Sequence, residues 1–216
     1  ITASYGPVVQ NVTVTVADGR FWYSLGNGLG NGLDNNWYLD GNNASVVSSD
    51  GNKTTVQMGS GYRGDLWLAR SGKGKIVNVT PADYRYFAIK VGFKSQLVPG
   101  KNKPNGCIKL EIFDDGIKKI GPEYFGTGGD ANNRYEILGA SEISTTEPNV
   151  LYYDLQSKYK TVTPTDWNQV FDLVQCKFVI ADFPETAQTY DLYWIRSFKS
   201  IEELQAFVDS ENNTNE

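Results

Sequence analysis

Apolar and polar residues alternate with a period of two along most of this chain, which is the pattern of strands buried on one face. Residues 83–94 show it most clearly: Phe87, Ile89, Val91 and Phe93 are predicted to face a core while Tyr84, Tyr86, Ala88 and Lys90 face away. In 61–70 the same alternation sets Leu66 and Leu68 against Asp65 and Trp67. Further on it sets Ile108, Leu110 and Ile112 against Cys107, Lys109 and Glu111, and Val174, Cys176, Phe178 and Ile180 against Gln175, Lys177 and Val179. Shorter strands are predicted around Val12, Val14 and Val16 and at 37–39, 44–47, 53–58 and 149–155. Turns at Asp18-Gly19, Asp40-Gly41, Asp50-Gly51 and Asp115-Gly116 separate them, as do glycine- and asparagine-rich loops at 26–36 and 121–133.

The period changes near the end of the chain. Over 190–198 the alternation puts Tyr190, Leu192, Trp194, Arg196 and Phe198 on one face of a strand. Beyond it, Ser200 and Glu203 form a capping box, and Ile201, Leu204, Ala206, Phe207 and Val208 are read as one face of a short helix. Residues 210–216 read as a polar tail. Roughly ten short strands closed by one helix predict an all-β fold. We expect two antiparallel sheets packed as a jelly-roll sandwich, with one short C-terminal helix, in a single domain over residues 1–209.

At 216 residues the chain is long enough to bury a core without staples, and its 22 glycines and abundant aromatics suit a sandwich. A net charge of −5 argues against nucleic acid, whose binding needs clustered Lys and Arg. The chain has no histidine, which removes Ser-His-Asp and Cys-His catalysis and His-ligated metals and leaves carboxylate, Tyr, Lys or Arg chemistry, oxygen-ligated metals, or none. Cys107 and Cys176 either pair, if their strands are neighbours, or are buried free thiols. No apolar run reaches the ~20 residues of a membrane-spanning helix. The first residue is Ile1 rather than Met, so a mature or trimmed chain is expected, with any signal peptide or lipid anchor upstream.

Three stretches carry a resemblance: Asp83-Tyr84-Arg85-Tyr86-Phe87-Ala88-Ile89-Lys90-Val91, residues 175–182, and the closing Tyr193-Trp194-Ile195-Arg196-Ser197-Phe198-Lys199-Ser200-Ile201-Glu202-Glu203-Leu204. Together they resemble the C-terminal jelly-roll domains of Bacteroidetes-type surface glycan-binding lipoproteins, and similar modules attached to glycoside hydrolases of the same uptake systems. The last quarter of the chain carries most of the likeness. It implies a carbohydrate-binding sandwich at the extracellular or outer-membrane surface, anchored through lipid and working with other components of a glycan-uptake complex. No individual binding residue transfers, because the loops 26–36 and 121–133 contain no motif to align.

A sugar-binding surface needs flat apolar area for the CH face of the ring and a few side-chain hydrogen bonds to hydroxyls. Exposed loop aromatics are therefore the candidates. Trp37 with Tyr38, and Trp167, lie among Asn and Asp; Trp67 stands beside Asp65, with Tyr62 and Arg63 just before it; Trp22 flanks the first glycine-rich loop. Trp194 shares a face with Leu192 and Phe198 and is expected to be structural. A second candidate surface is the outward face of the long strands, comprising Tyr84, Tyr86, Lys90, Lys109, Glu111, Gln175, Lys177 and Arg196 if these share one sheet; the alternative is an ordinary solvated face. Oxygen-ligated calcium around Asp34, Asn35, Asn36, Asp40 and Asn42 competes with turn formation by the same residues, and no other cofactor is expected. The expected function is non-catalytic binding of a polysaccharide or oligosaccharide. A glycoside hydrolase or polysaccharide lyase on the same fold, and a spacer or protein-interaction domain, are the alternatives.

Overall fold

The computed structural model describes residues 2–5, 8–11, 19–30, 35–40, 43–59, 64–70, 73–74, 77–80, 82–96, 108–113, 135–155, 171–173, 175–180 and 188–213. Its elements are β1 (Thr2–Tyr5), β2 (Val8–Asn11), β3 (Trp22–Ser24), β4 (Tyr38–Leu39), β5 (Ser45–Ser49), β6 (Thr54–Gln57), β7 (Gly64–Arg70), β8 (Lys73–Gly74), β9 (Val77–Val79), β10 (Tyr86–Phe93), β11 (Ile108–Phe113), β12 (Glu136–Ile137), β13 (Asn149–Asp154), β14 (Phe171–Leu173), β15 (Gln175–Ile180), β16 (Thr189–Phe198) and α1 (Ile201–Asn213).

Two antiparallel sheets make the sandwich. One runs β12-β13-β10-β16-β6-β5 and the other β11-β15-β7-β4, with β8 paired to β7. Strand β16 organises the first sheet, because β10 runs along one side of it while β6 covers the first half of its other side and β3 the second half. From β3 to β16 the chain passes back and forth between the sheets, the winding of a jelly roll. Ribbons β1–β2 and β9–β14 pair separately.

The inner faces meet in one apolar core. Phe87, Ile89, Val91 and Phe93 of β10 enter it from the larger sheet, and Leu66, Leu68, Leu110, Cys176, Phe178 and Ile180 from the smaller, as the alternation predicts. Cys176 is a buried free thiol, and burial pushes its pKa up. Its possible partner Cys107 lies outside the described residues.

The outer face of the larger sheet has a core of its own. Ala88, Val150, Trp194 and Phe198 are buried there under Leu204 of α1, with Phe207 and Val208 packed against them. Trp194 and Phe198 meet Phe207 at ring-centroid distances of 5.5 and 5.7 Å. This corrects the single face expected for 190–198. Lys90 pairs with Trp194 but Val91 pairs with Leu192, so Tyr193 is an extra, unpaired residue. The resulting β-bulge reverses the side-chain parity. Tyr190 and Leu192 therefore point into the inter-sheet core, while Trp194 and Phe198 point out beneath the helix.

The helix is also longer than predicted, running to Asn213 through the first part of the expected polar tail. Its start is as read: the Glu203 N–H donates to Ser200 Oγ at 3.2 Å, and Glu203 Oε2 accepts the Lys199 N–H at 2.7 Å. Its last turns persist because Glu211 has partners on the sheet. It accepts hydrogen bonds from Lys90 Nζ and Trp194 Nε1, both at 3.0 Å, and pairs with Arg196 at 3.7 Å.

The glycine-rich loop after β3 is fixed by one buried asparagine. Asn35 Oδ1 accepts the N–H groups of Gly30 and Trp37, and its Nδ2 donates to the carbonyls of Ser24 and Gly28, at 2.9 to 3.1 Å. Gly26 lies against the β5–β6 turn so closely that a Cβ there would stand 2.2 Å from the Gly51 carbonyl oxygen. The described part of the loop is thus tied to the sandwich at Gly26, Gly28 and Gly30.

Candidate functional site

Of the aromatics expected on or beside exposed loops, Trp37 is in the core and Trp22 is exposed but engaged by other side chains. Trp37 is fully buried, 5.9 Å by ring centroid from both Tyr23 and Phe178. Because Asn35 satisfies the backbone of the preceding loop, the indole can enter the core instead of standing among polar side chains. Trp22 is 42% exposed, but the guanidinium carbons of Arg20 and Arg196 lie 3.9 and 4.3 Å from its ring centroid, and Phe198 and Phe207 meet it edge-on. The π surface a sugar would stack on is already engaged by cations. Tyr62, Arg63 and Trp167 lie outside the described residues.

The structure does bring Tyr38, Trp67 and Asp65 together. On the outer face of the smaller sheet Trp67 has Tyr38 as its register partner on one side and Lys177 on the other. Lys177 Nζ lies 4.5 Å from the Trp67 ring centroid and 3.6 Å from an Asp65 carboxylate oxygen. Asp65, Trp67 and Lys177 are all buried, so this is an internal aromatic–ionic cluster with no exposed platform. The outward residues read as one surface are divided as well. Tyr86, Lys90 and Arg196 belong to strands of the larger sheet, whereas Lys109, Glu111, Gln175 and Lys177 belong to the smaller. As for the calcium candidates, Asn35 is consumed by its loop, while Asp34 and Asn42 lie outside the described residues. Among the described residues no three His, Cys, Asp or Glu side chains group closely enough to hold a metal ion.

What the alternation did not reveal is a cleft on the outer face of the larger sheet, beside α1. Its larger lobe, about 690 Å³, lies between the C-terminal half of the helix (Gln205, Val208, Asp209, Asn212) and the segment 137–150, with Lys90, Asn149 and Tyr193 also lining it. A smaller lobe of about 310 Å³ is lined by Lys53, Gly92, Lys94, Asp191, Thr145 and Thr146. Glu147, Pro148 and Tyr193 line both, so they form the common wall. Volumes of this size fall in the range of small-ligand sites.

Each wall is held rigidly. Asn149, 4% exposed, repeats the device of Asn35: Oδ1 accepts the Ser144 N–H at 2.7 Å while Nδ2 donates to the Ser144 carbonyl at 2.9 Å, and Ser144 Oγ accepts the Glu147 N–H at 3.0 Å. Glu211 anchors the helical wall through Lys90. In the smaller lobe Asp191 accepts from Lys53 Nζ and Thr55 Oγ1, both at 2.7 Å, with Lys94 Nζ at 4.0 Å. Burial alone would raise the Asp191 pKa, but these hydrogen bonds and cations outweigh it and hold the carboxyl below its ordinary value.

Tyr193 is the half-buried aromatic at the centre. The bulge leaves its side chain on the outer face, next to Trp194, and its backbone carbonyl accepts the Leu25 N–H at 2.9 Å. Gly92 lies beneath the ring, where a Cβ would make ordinary contact with Tyr193 Cε2 at 3.6 Å. Partial burial raises the pKa of the phenol, so it stays protonated and able to donate a hydrogen bond. One sequence signal pointed here: Tyr193-Trp194-Ile195 is apolar at consecutive positions, which a strand with one buried face does not need.

No helix among the described residues is long and apolar enough to cross a membrane. Comparison with curated proteins gave no match, and comparison with solved structures gave none. A family model described as "Domain of unknown function (DUF4979)" matches residues 28–204. That span covers most of the chain, running from the glycine-rich loop through both sheets and the Tyr193 bulge into the first turn of the helix, and the chain therefore belongs to this family.

Proposed function

We propose that this protein binds a carbohydrate, without chemical turnover, in the cleft centred on Tyr193. The observation that carries the reading is a half-buried phenol ring flanked by two concave lobes lined by amide, hydroxyl and ionic side chains of both signs. Such a set offers one apolar platform for a sugar ring and several fixed donors and acceptors for its hydroxyls. The resemblance of the closing strand and helix to surface glycan-binding modules supports the same reading, and with it display on the cell surface as part of a glycan-uptake complex.

One feature weighs against a lyase: its base must lose a proton near neutral pH, whereas burial raises the Tyr193 pKa. Affinity electrophoresis and isothermal titration against plant and host polysaccharides test the proposal. Binding that Tyr193→Ala weakens at least about tenfold, with no release of reducing ends, is the expected result. Silence across the panel, or binding indifferent to Tyr193, overturns it.

A further inference from the structure

We infer, on the basis of that reading, that the ligand is an uncharged, linear sugar chain that lies across Tyr193 and occupies both lobes. Length follows from the shape of the site. The lobes share Tyr193, Glu147 and Pro148, and each extends away from that wall in its own lining, one along α1 and the other towards β6 and the turn after β10. A single sugar fills only one side of the tyrosine, whereas a chain passing over the ring engages both.

The absence of ligand charge follows from the ion pairs. Lys53 and Lys94 share Asp191, at 2.7 and 4.0 Å, and Lys90 pairs with Glu211 at 3.0 Å. With Glu147 and Asp209, the two linings hold three lysines and three carboxylates, so they offer an anion no net positive charge. A uronate or sulfate entering here would therefore compete with carboxylates already in place, while hydroxyl groups meet donors and acceptors of both kinds.

The test is isothermal titration with cello-, xylo-, manno- and malto-oligosaccharides, from monosaccharides to hexasaccharides, for the wild type and two variants at exposed positions, Thr146→Trp in the smaller lobe and Ala140→Trp in the larger. Expected are an affinity gain of about tenfold or more as the chain grows long enough to fill both lobes, loss of that gain in Thr146→Trp, and weakening at every length in Ala140→Trp. Unchanged melting temperatures would show that the variants fold. Affinity should also stay within about twofold between about 0.05 and 0.5 M NaCl, with no competition from polygalacturonate or heparin. If neutral glycans bind but affinity is flat with length, or Thr146→Trp keeps the gain, this inference falls while carbohydrate binding stands. Salt-sensitive binding of the acidic polymers overturns the assignment of an uncharged ligand. Binding of none of these probes removes both readings together.

Discussion

Replacing Glu211 by Ala tests whether the end of α1 is fastened by charge, because this one carboxylate is shared by Lys90, Trp194 and Arg196. Side-chain exposures of 23% for Glu211, 16% for Lys90 and 12% for Arg196 place the group mostly out of water. Removing one partner of a buried ion pair costs about 3 to 5 kcal/mol when the remaining charge cannot escape. Here the last helical turn can fray and admit water to the two cations, and the residual exposure screens the pair, so the expected loss is smaller, about 2 to 3 kcal/mol. For a chain of this size that lowers the melting temperature by about 5 to 10 °C. Glu211→Gln keeps an acceptor for the Trp194 indole N–H and loses only the charge, for which about half the effect is expected. Urea unfolding with a double-mutant cycle pairing Glu211→Gln with Lys90→Met separates the ionic coupling from packing. A change under about 0.5 kcal/mol in Glu211→Ala would show that apolar contacts of Leu204 and Phe207 alone seat the helix, and the argument would be wrong.

Other perturbations address the rest of the fold. Trp194→Ala should cost about 3 to 5 kcal/mol in chemical denaturation, because it empties the space between β16 and α1. Gly26→Ala should cost about 2 kcal/mol or more, since its Cβ would collide with the β5–β6 turn; a neutral result would mean that the turn moves freely. Burial raises the Tyr23 pKa to about 12, above its unfolded value near 10. Its contribution is therefore complete below pH 10 and lost as pH rises towards 12, and Tyr23→Phe should flatten the alkaline decline in stability. The lowered Asp191 pKa has the opposite sense: stability is present above the unfolded value of about 3.9 and lost as pH falls below it. Asp191→Asn should make the acid limb of a pH–melting curve shallower.

The β-sandwich was readable because period-two alternation survives wherever a strand pairs regularly and buries one face, as in β7, β10 and β15. Burial of Trp37 was not readable, since Asn and Asp neighbours suggest water whether they face it or, like Asn35, spend their hydrogen bonds inward on the loop. The division of the outward faces between two sheets depends on strand order, which one sequence does not encode locally. Strand order also decides that β10 and β16 are neighbours and so bring Lys90 to Glu211. The cleft was hidden for a related reason: its walls come from the β5–β6 turn, β10, the segment between β12 and β13, β16 and α1, and its central residue is defined by a register shift. Read with unbroken alternation, Tyr193 falls on the face opposite Trp194, and the apolar run 193–195 is the one sign against that reading.

That register shift also determines how the protein can change over time. The sandwich needs an extra backbone unit at position 193, since losing it would turn Trp194, Arg196 and Phe198 towards the inter-sheet core and away from Glu211. The bulge sets far weaker demands on which side chain stands there. Relatives should therefore tolerate almost any substitution at this position but no insertion or deletion around it, leaving the residue best placed to touch a ligand free to diverge while the scaffold beneath it stays the same.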